Sequence, residues 1–208
     1  FDDASQDTTP TLLEEHNITS LRIKKSFGLG HVFSQITKYF LEKEFDILVT
    51  IDGDGQFNPK DIQSILKPII DGNAGMVTGS RFIDGSVTQN ISRLKHFGNK
   101  LGAKYVSSIL GCRYYDVTCG FRAYTREAIL RLQTFSDFTY TQEVFLNLGF
   151  KKIPIKEVPI NTTYFKGRKS KMVKSVFRYI TKSFKIILKS MLIYSPLRLF
   201  GGLSFISF

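Results

Sequence analysis

Ile47-Leu48-Val49-Thr50-Ile51-Asp52-Gly53-Asp54-Gly55-Gln56 sets the fold class of this chain. The apolar, β-branched run 47–51 predicts a buried strand. Two carboxylates separated by one glycine follow directly, so both emerge at the strand's carboxyl end, where open α/β sheets place their ligands. Mg²⁺ and Mn²⁺ prefer oxygen ligands and are typically held by one or two carboxylates plus substrate phosphates. Asp52 and Asp54 are therefore candidate metal ligands, and Gln56 is placed to add a third ligand or orient a water. Gly53 and Gly55 allow close backbone approach to phosphate. Asp and Gly also build plain polar turns, but the strand before them and Gln56 and Pro59 after them favour a metal-diphosphate site.

Outward from this segment, strands alternate with helices. Helices are predicted over Pro10–His16, His31–Glu42, Pro59–Ile70 and Ser92–Leu110, and strands over Ser20–Lys24, Ile47–Ile51 and Ala74–Gly79, with a turn at Gly28-Leu29-Gly30. Such alternation indicates an α/β fold, a mostly parallel sheet with helices on both faces. Its 208 residues, 42% hydrophobic and 23% charged, suit one globular catalytic domain with an appendage.

The net charge of +11 is unevenly placed. Residues 151–208 carry thirteen Lys or Arg against the single acid Glu157, whereas the first 150 residues are near neutral. From Lys171 to Lys189, Lys171, Lys174, Arg178, Lys182, Lys185 and Lys189 fall on one helical face, opposite Val173, Phe177, Ile180, Phe184, Ile187 and Met191. This is a basic amphipathic helix, suited to packing on the domain and to lying on an anionic lipid surface. A nucleic-acid or lipid-binding module without enzymatic activity is the competing class, but the acidic pair repels phosphate unless a metal intervenes, so no nucleic-acid partner is expected. Cys112 and Cys119 are too few for a disulfide framework and read as reduced thiols, in keeping with a cytoplasmic compartment.

Asp52-Gly53-Asp54-Gly55-Gln56-Phe57-Asn58-Pro59 resembles the DxDxQ-x-x-P signature of the polyprenyl (dolichyl) phosphate glycosyltransferases of glycosyltransferase family 2, the dolichyl-phosphate mannosyltransferase branch included. Four further segments are similar, in the family's order. Phe1 to Thr9 resembles a second-strand loop whose paired acids, here Asp2 and Asp3, meet the nucleoside. Gly79-Ser80-Arg81-Phe82 resembles the G-S-R-[FY] turn, and Asp116-Val117-Thr118-Cys119-Gly120-Phe121-Arg122 the D-x-x-S-G-F-[RK] segment, with Cys119 in place of Ser. Lys166-Gly167-Arg168-Lys169-Ser170-Lys171 is similar to a basic loop ending in Ser-Lys. The family's first strand and its P-x-[YF]-N-E loop have no counterpart, so the chain reads as N-terminally truncated.

The resemblance implies a GT-A fold over residues 1–165, a basic loop and membrane-surface helix over 166–193, and the start of a transmembrane segment over 194–208. It further implies a membrane-associated enzyme with its catalytic domain on the cytoplasmic side. That enzyme would transfer a sugar from a GDP- or UDP-sugar to polyprenyl or dolichyl phosphate with inversion; a soluble or polysaccharide acceptor is the alternative. Asp52, Asp54 and Gln56 would hold Mg²⁺ or Mn²⁺; Asp2, Asp3, Asp52 and Asp54 would meet the donor. Arg81, Arg93, Arg168, Ser170 and Lys171 would bind the acceptor phosphate. Asp116 would orient the acceptor or act as base, or simply cap a turn. Arg122 matches a family position or pairs with an acid, and Glu143 supports the site or caps a helix.

Overall fold

The computed structural model describes residues 1–134, 140–165, 176–197 and 200. In chain order the elements are β1 (Asp2–Asp3), α1 (Thr9–Glu15), β2 (Arg22–Ile23), α2 (Leu29–Glu42), β3 (Ile47–Thr50), a 3₁₀ turn (Pro59–Asp61) running into α3 (Ile62–Ile70), β4 (Met76–Ser80), β5 (Val87–Gln89), α4 (Arg93–Leu110), β6 (Arg122–Thr125), α5 (Arg126–Arg131), α6 (Thr141–Phe150), β7 (Ile155–Pro159), β8 (Asn161–Thr163) and α7 (Val176–Tyr194). Every element predicted before residue 111 is present, with ends shifted by a few residues. The helix predicted from Pro59 begins as a 3₁₀ turn, capped by the Asn58 side chain, which accepts a bond from the Lys60 amide. Ser92 caps α4 in the same way, and Gly111 closes it in the left-handed conformation.

The central sheet has the order β3-β6-β4-β7. β3, β4 and β7 run in one direction, while β6 lies between β3 and β4 antiparallel to both. β1 pairs with β2, and β5 with β8, in two small parallel ladders. The alternation of strand side chains divides the core in two. Met76 and Tyr124 face Phe33, Phe40, Val144, Phe145 and Leu148 on one side, whereas Val77 and Ala123 face Ile65, Ile69, Phe121 and Ile160 on the other. Helices thus cover both faces.

α7 packs against α6. Its Ile186, Ile187 and Ser190 are buried, while Lys185 and Lys189 are exposed. The described part of the basic helix therefore combines core packing with a charged outer side. No helix among the described residues is long and apolar enough to cross a membrane, and most of 194–208 lies outside them.

Candidate active site

The reversed strand β6 assembles the site. Its register places Arg122 opposite both Thr50 of β3 and Thr78 of β4, so the loop entering β6 arrives where those two strands end. Three segments distant in sequence converge there: Asp52 to Gln56 after β3, Arg81 after β4, and Asp116 to Phe121 before β6.

Asp52 and Asp54 lie close enough to repel one another. Asp54 also accepts a bond from the Gln56 amide at 3.0 Å, closing a tight turn through Gly55, whose φ of 73° is left-handed. The backbone carbonyl of Gln56 accepts from Thr163 N, and Phe57 packs against Phe121 with the rings tilted by 47°, so the acidic loop is tied to β8 and to the core. Asp52 keeps solvent access, yet the site walls crowd its carboxylate; this desolvation, with Asp54 beside it, raises its pKa above the ordinary value.

The Asp52 carboxylate rests on Gly120, where a Cβ would stand 3.3 Å from both of its oxygens. Below it, Thr50 Oγ1 donates to the Gly120 carbonyl at 2.8 Å. Gly120→Ala is expected to displace Asp52 by a few tenths of an ångström and to weaken metal-dependent nucleotide binding by roughly three- to tenfold, since coordination tolerates little misplacement. Calorimetric titration of the variant with nucleotide and Mn²⁺ checks this.

Arg81 and Asp116 form a buried fork, with only 7% and 0% of their surfaces exposed. Arg81 Nε donates to Asp116 Oδ2 at 2.6 Å and Nη2 to Oδ1 at 2.7 Å. Nη2 also donates to Thr118 Oγ1, and Nη1 to the Tyr164 hydroxyl. Burial opposes the Arg81 charge, but Asp116 outweighs that cost and drives its pKa above the usual value. The amides of Arg81 and Thr118 and the Thr118 hydroxyl bond Asp116 as well. Both oxygens of Asp116 are thus engaged in hydrogen bonds.

Two contributors escape a reading of the sequence. Glu157 of β7 accepts from the Tyr115 and Asp116 amides at 2.8 and 2.7 Å, clamping the loop that carries Asp116. Burial raises its pKa although both bonds pull the other way. Glu157→Gln presents an amide NH₂ to one of those N–H groups, which costs about 1–3 kcal/mol for the unpaired donor. The variant is expected to lose roughly tenfold in transfer rate while its nucleotide Kd stays unchanged, a split that steady-state kinetics and calorimetry resolve together.

Lys95 is the second. Its ammonium sits over the Tyr164 ring, 4.2 Å from the centroid. Desolvation and then the charge of Arg81 lower its pKa, against the pull of Asp54 and Asp116. A cation at this position stands near both Asp54 and the buried fork.

The other candidates fall as follows. Asp2 accepts from the Ser5 amide and pairs with Arg22; hydrogen bonding to the Ser5 side chain is the main cause of its lowered pKa. Asp3 accepts from the Ser26 hydroxyl. Both stand on the separate β1-β2 ladder. Arg93 is exposed at the start of α4. Arg122 is fully buried and donates to the carbonyls of Thr141 and Val117, tying the site loop to α6. Glu143 is buried in the first turn of α6. Cys119 is buried, its thiol pushed up to about 12 by desolvation, and Cys112 is an exposed free thiol. Arg168, Ser170 and Lys171 lie outside the described residues.

The chain belongs to glycosyl transferase family 2, whose profile matches residues 1–132. Within it the chain is a glycosyltransferase. It is 28% identical over 184 residues to the UDP-N-acetylglucosamine--dolichyl-phosphate N-acetylglucosaminyltransferase of Methanococcus voltae, covering 78% of this chain and 73% of that one. It is 28% identical over 190 residues to the polyprenol monophosphomannose synthase of Mycolicibacterium smegmatis, with 85% and 70% covered. The crystal structure of glucosyl-3-phosphoglycerate synthase from Mycobacterium tuberculosis with Mn²⁺ and UDP-glucose superposes with a TM-score of 0.65 at 16% identity, over 91% of this chain and 66% of that one. That likeness establishes the GT-A fold.

Proposed function

We propose that the chain transfers a sugar from a GDP- or UDP-sugar to polyprenyl or dolichyl phosphate, with inversion, at a membrane surface and with Mg²⁺ or Mn²⁺. The observation that carries the metal assignment is the crowded acidic pair on the Gly120 shelf: Asp52 has a raised pKa, and the nearby Arg81 is already bonded to Asp116. An oxygen-rich site of this kind fits a hard divalent cation, held by Asp52, Asp54 and Gln56. When bound, that cation neutralises charge on the departing nucleotide.

The chain's own residues then divide the work. Asp54, braced by the Gln56 amide, and Asp52, braced by the Gly120 shelf, would hold the cation, whose charge would draw the donor diphosphate to this loop. Asp2 and Asp3 serve the nucleoside. A phosphate acceptor is already anionic at neutral pH and needs little help from a base. Lys95, Arg93, Arg168, Ser170 and Lys171 supply positive charge and donors for it. Arg81, locked by Asp116, keeps one N–H of Nη1 without a partner among the described residues, and that donor serves the acceptor.

The test is a screen of UDP- and GDP-sugars against a short polyprenyl phosphate in detergent, with and without Mn²⁺ or Mg²⁺. A β-linked lipid phosphate sugar, identified by NMR and formed only with metal, is expected from an α-linked donor. An α-linked product, or metal-independent transfer, overturns the corresponding part of the proposal.

A further inference from the structure

Tyr164 follows directly on β8, half-buried, and β5 holds it in place beside Arg81. Its amide donates to the Gln89 carbonyl at 3.1 Å, while the adjacent Thr88 hydroxyl donates to the Arg81 carbonyl at 2.9 Å. The Tyr164 side chain then meets two cations at once. Its hydroxyl accepts from Arg81 Nη1 at 2.6 Å, and its ring carries the Lys95 ammonium 4.2 Å from the centroid. Arg81 is balanced by Asp116, whereas Lys95 forms no ion pair among the described residues. Like charges repel, and a lysine on an exposed helix start is free to swing into water. The negative face of the ring opposes both tendencies and keeps the ammonium beside the guanidinium.

We infer that Tyr164 is the positioning residue of the acceptor phosphate: its ring fixes Lys95, its hydroxyl fixes Arg81, and the two cations together meet one phosphate group. The inference rests on the transferase function proposed above and deepens it. A neutral hydroxyl acceptor gains nothing from a second cation, so the same pairing selects a phosphate over an alcohol. The next side chain ties this seat to the donor loop, because the Phe165 ring lies against Gly55, 3.9 Å from where a Cβ would stand. Acceptor cations and acidic loop are thus held side by side by two consecutive residues.

The test is calorimetric binding of a short isoprenyl monophosphate to the full chain, with nucleoside diphosphate and Mn²⁺ present. Tyr164→Leu removes ring and hydroxyl and is expected to raise the Kd of the monophosphate about tenfold. Tyr164→Phe keeps the ring and is expected to stay within about threefold of the parent. Lys95→Gln is expected to cost about tenfold, and adding Tyr164→Leu to it no more than about a further threefold, because the ring acts through Lys95. The nucleotide Kd in Mn²⁺ is expected to be unchanged in the Tyr164 variants, and the matching isoprenol is expected not to compete. If Tyr164→Leu does not fold, Tyr164→Met takes its place. Parental monophosphate binding without the ring overturns the inference, as do an equal loss in Tyr164→Phe, fully additive losses in the double variant, competition by the isoprenol, or a parallel rise in nucleotide Kd. Sugar transfer to the monophosphate is scored separately. Transfer with parental monophosphate binding in every Tyr164 variant sinks the positioning role alone. The expected binding pattern without transfer from any donor sinks the functional proposal alone, and a parent chain that binds no monophosphate sinks both.

Discussion

Arg81→Ala is expected to destabilise the fold by about 3–5 kcal/mol and to abolish transfer. The magnitude follows from what the substitution leaves behind. Asp116 has no exposed surface, and Arg81 supplies the charge that balances it through a fork of 2.6 and 2.7 Å bonds. Removing one member of a buried ion pair strands the other charge in a poorly solvated site, which is the expensive case. Thr118 and Tyr164 each lose a bonding partner as well. Thermal unfolding reads the stability loss. The companion Arg81→Ala with Asp116→Ala removes both charges and is expected to recover a large part of the stability but none of the transfer. Equal stability of the single and double variants would show that the fork does not carry the cost.

Asp54→Ala is expected to raise the Kd for metal-dependent nucleotide binding by roughly a hundredfold or more. Groups that merely orient metal ligands are worth ten- to a hundredfold, and Asp54 is proposed as a ligand itself. Stability should hardly change, because the residue stands on a half-exposed loop whose other anchors, Thr163 to Gln56 and Phe57 to Phe121, remain. Calorimetry in Mn²⁺ and in excess chelator separates the outcomes. Wild-type affinity in metal for the variant would remove Asp54 from the ligand set.

The first half of the site was legible in the sequence because it is local. A β-branched run followed by Asp52-Gly53-Asp54-Gly55-Gln56 announces both a strand and what emerges from its end. Beyond residue 110 the signals fade, for identifiable reasons. β6 is four residues long and begins with Arg122, a charge that argues against a buried strand until its bonds to two backbone carbonyls are seen. α6 is buried from Thr141 to Leu148, so no polar face marks its period. Glu157 reads as a stray acid in a basic tail, because the amides it clamps lie some forty residues earlier.

Lys95 shows a finer limit. Two cations near a helix start are told apart only by what their tips meet: Arg93 and Lys95 are both exposed, and Lys95 lays its ammonium over the Tyr164 ring. Sequence alone favours Arg93 no less than its neighbour.

The insertion of β6 between β3 and β4 also sets when the enzyme can become an enzyme. As the chain is synthesised, β3 and β4 emerge with a strand-wide gap between them, and their facing edges stay unpaired until residue 125 arrives to close the ladder from Ile47 to Thr125. Such long-range closure is slow, and open edges invite association with other nascent chains. Donor affinity should therefore appear late and abruptly along a series of ribosome-stalled lengths, and not before Thr125 has left the exit tunnel.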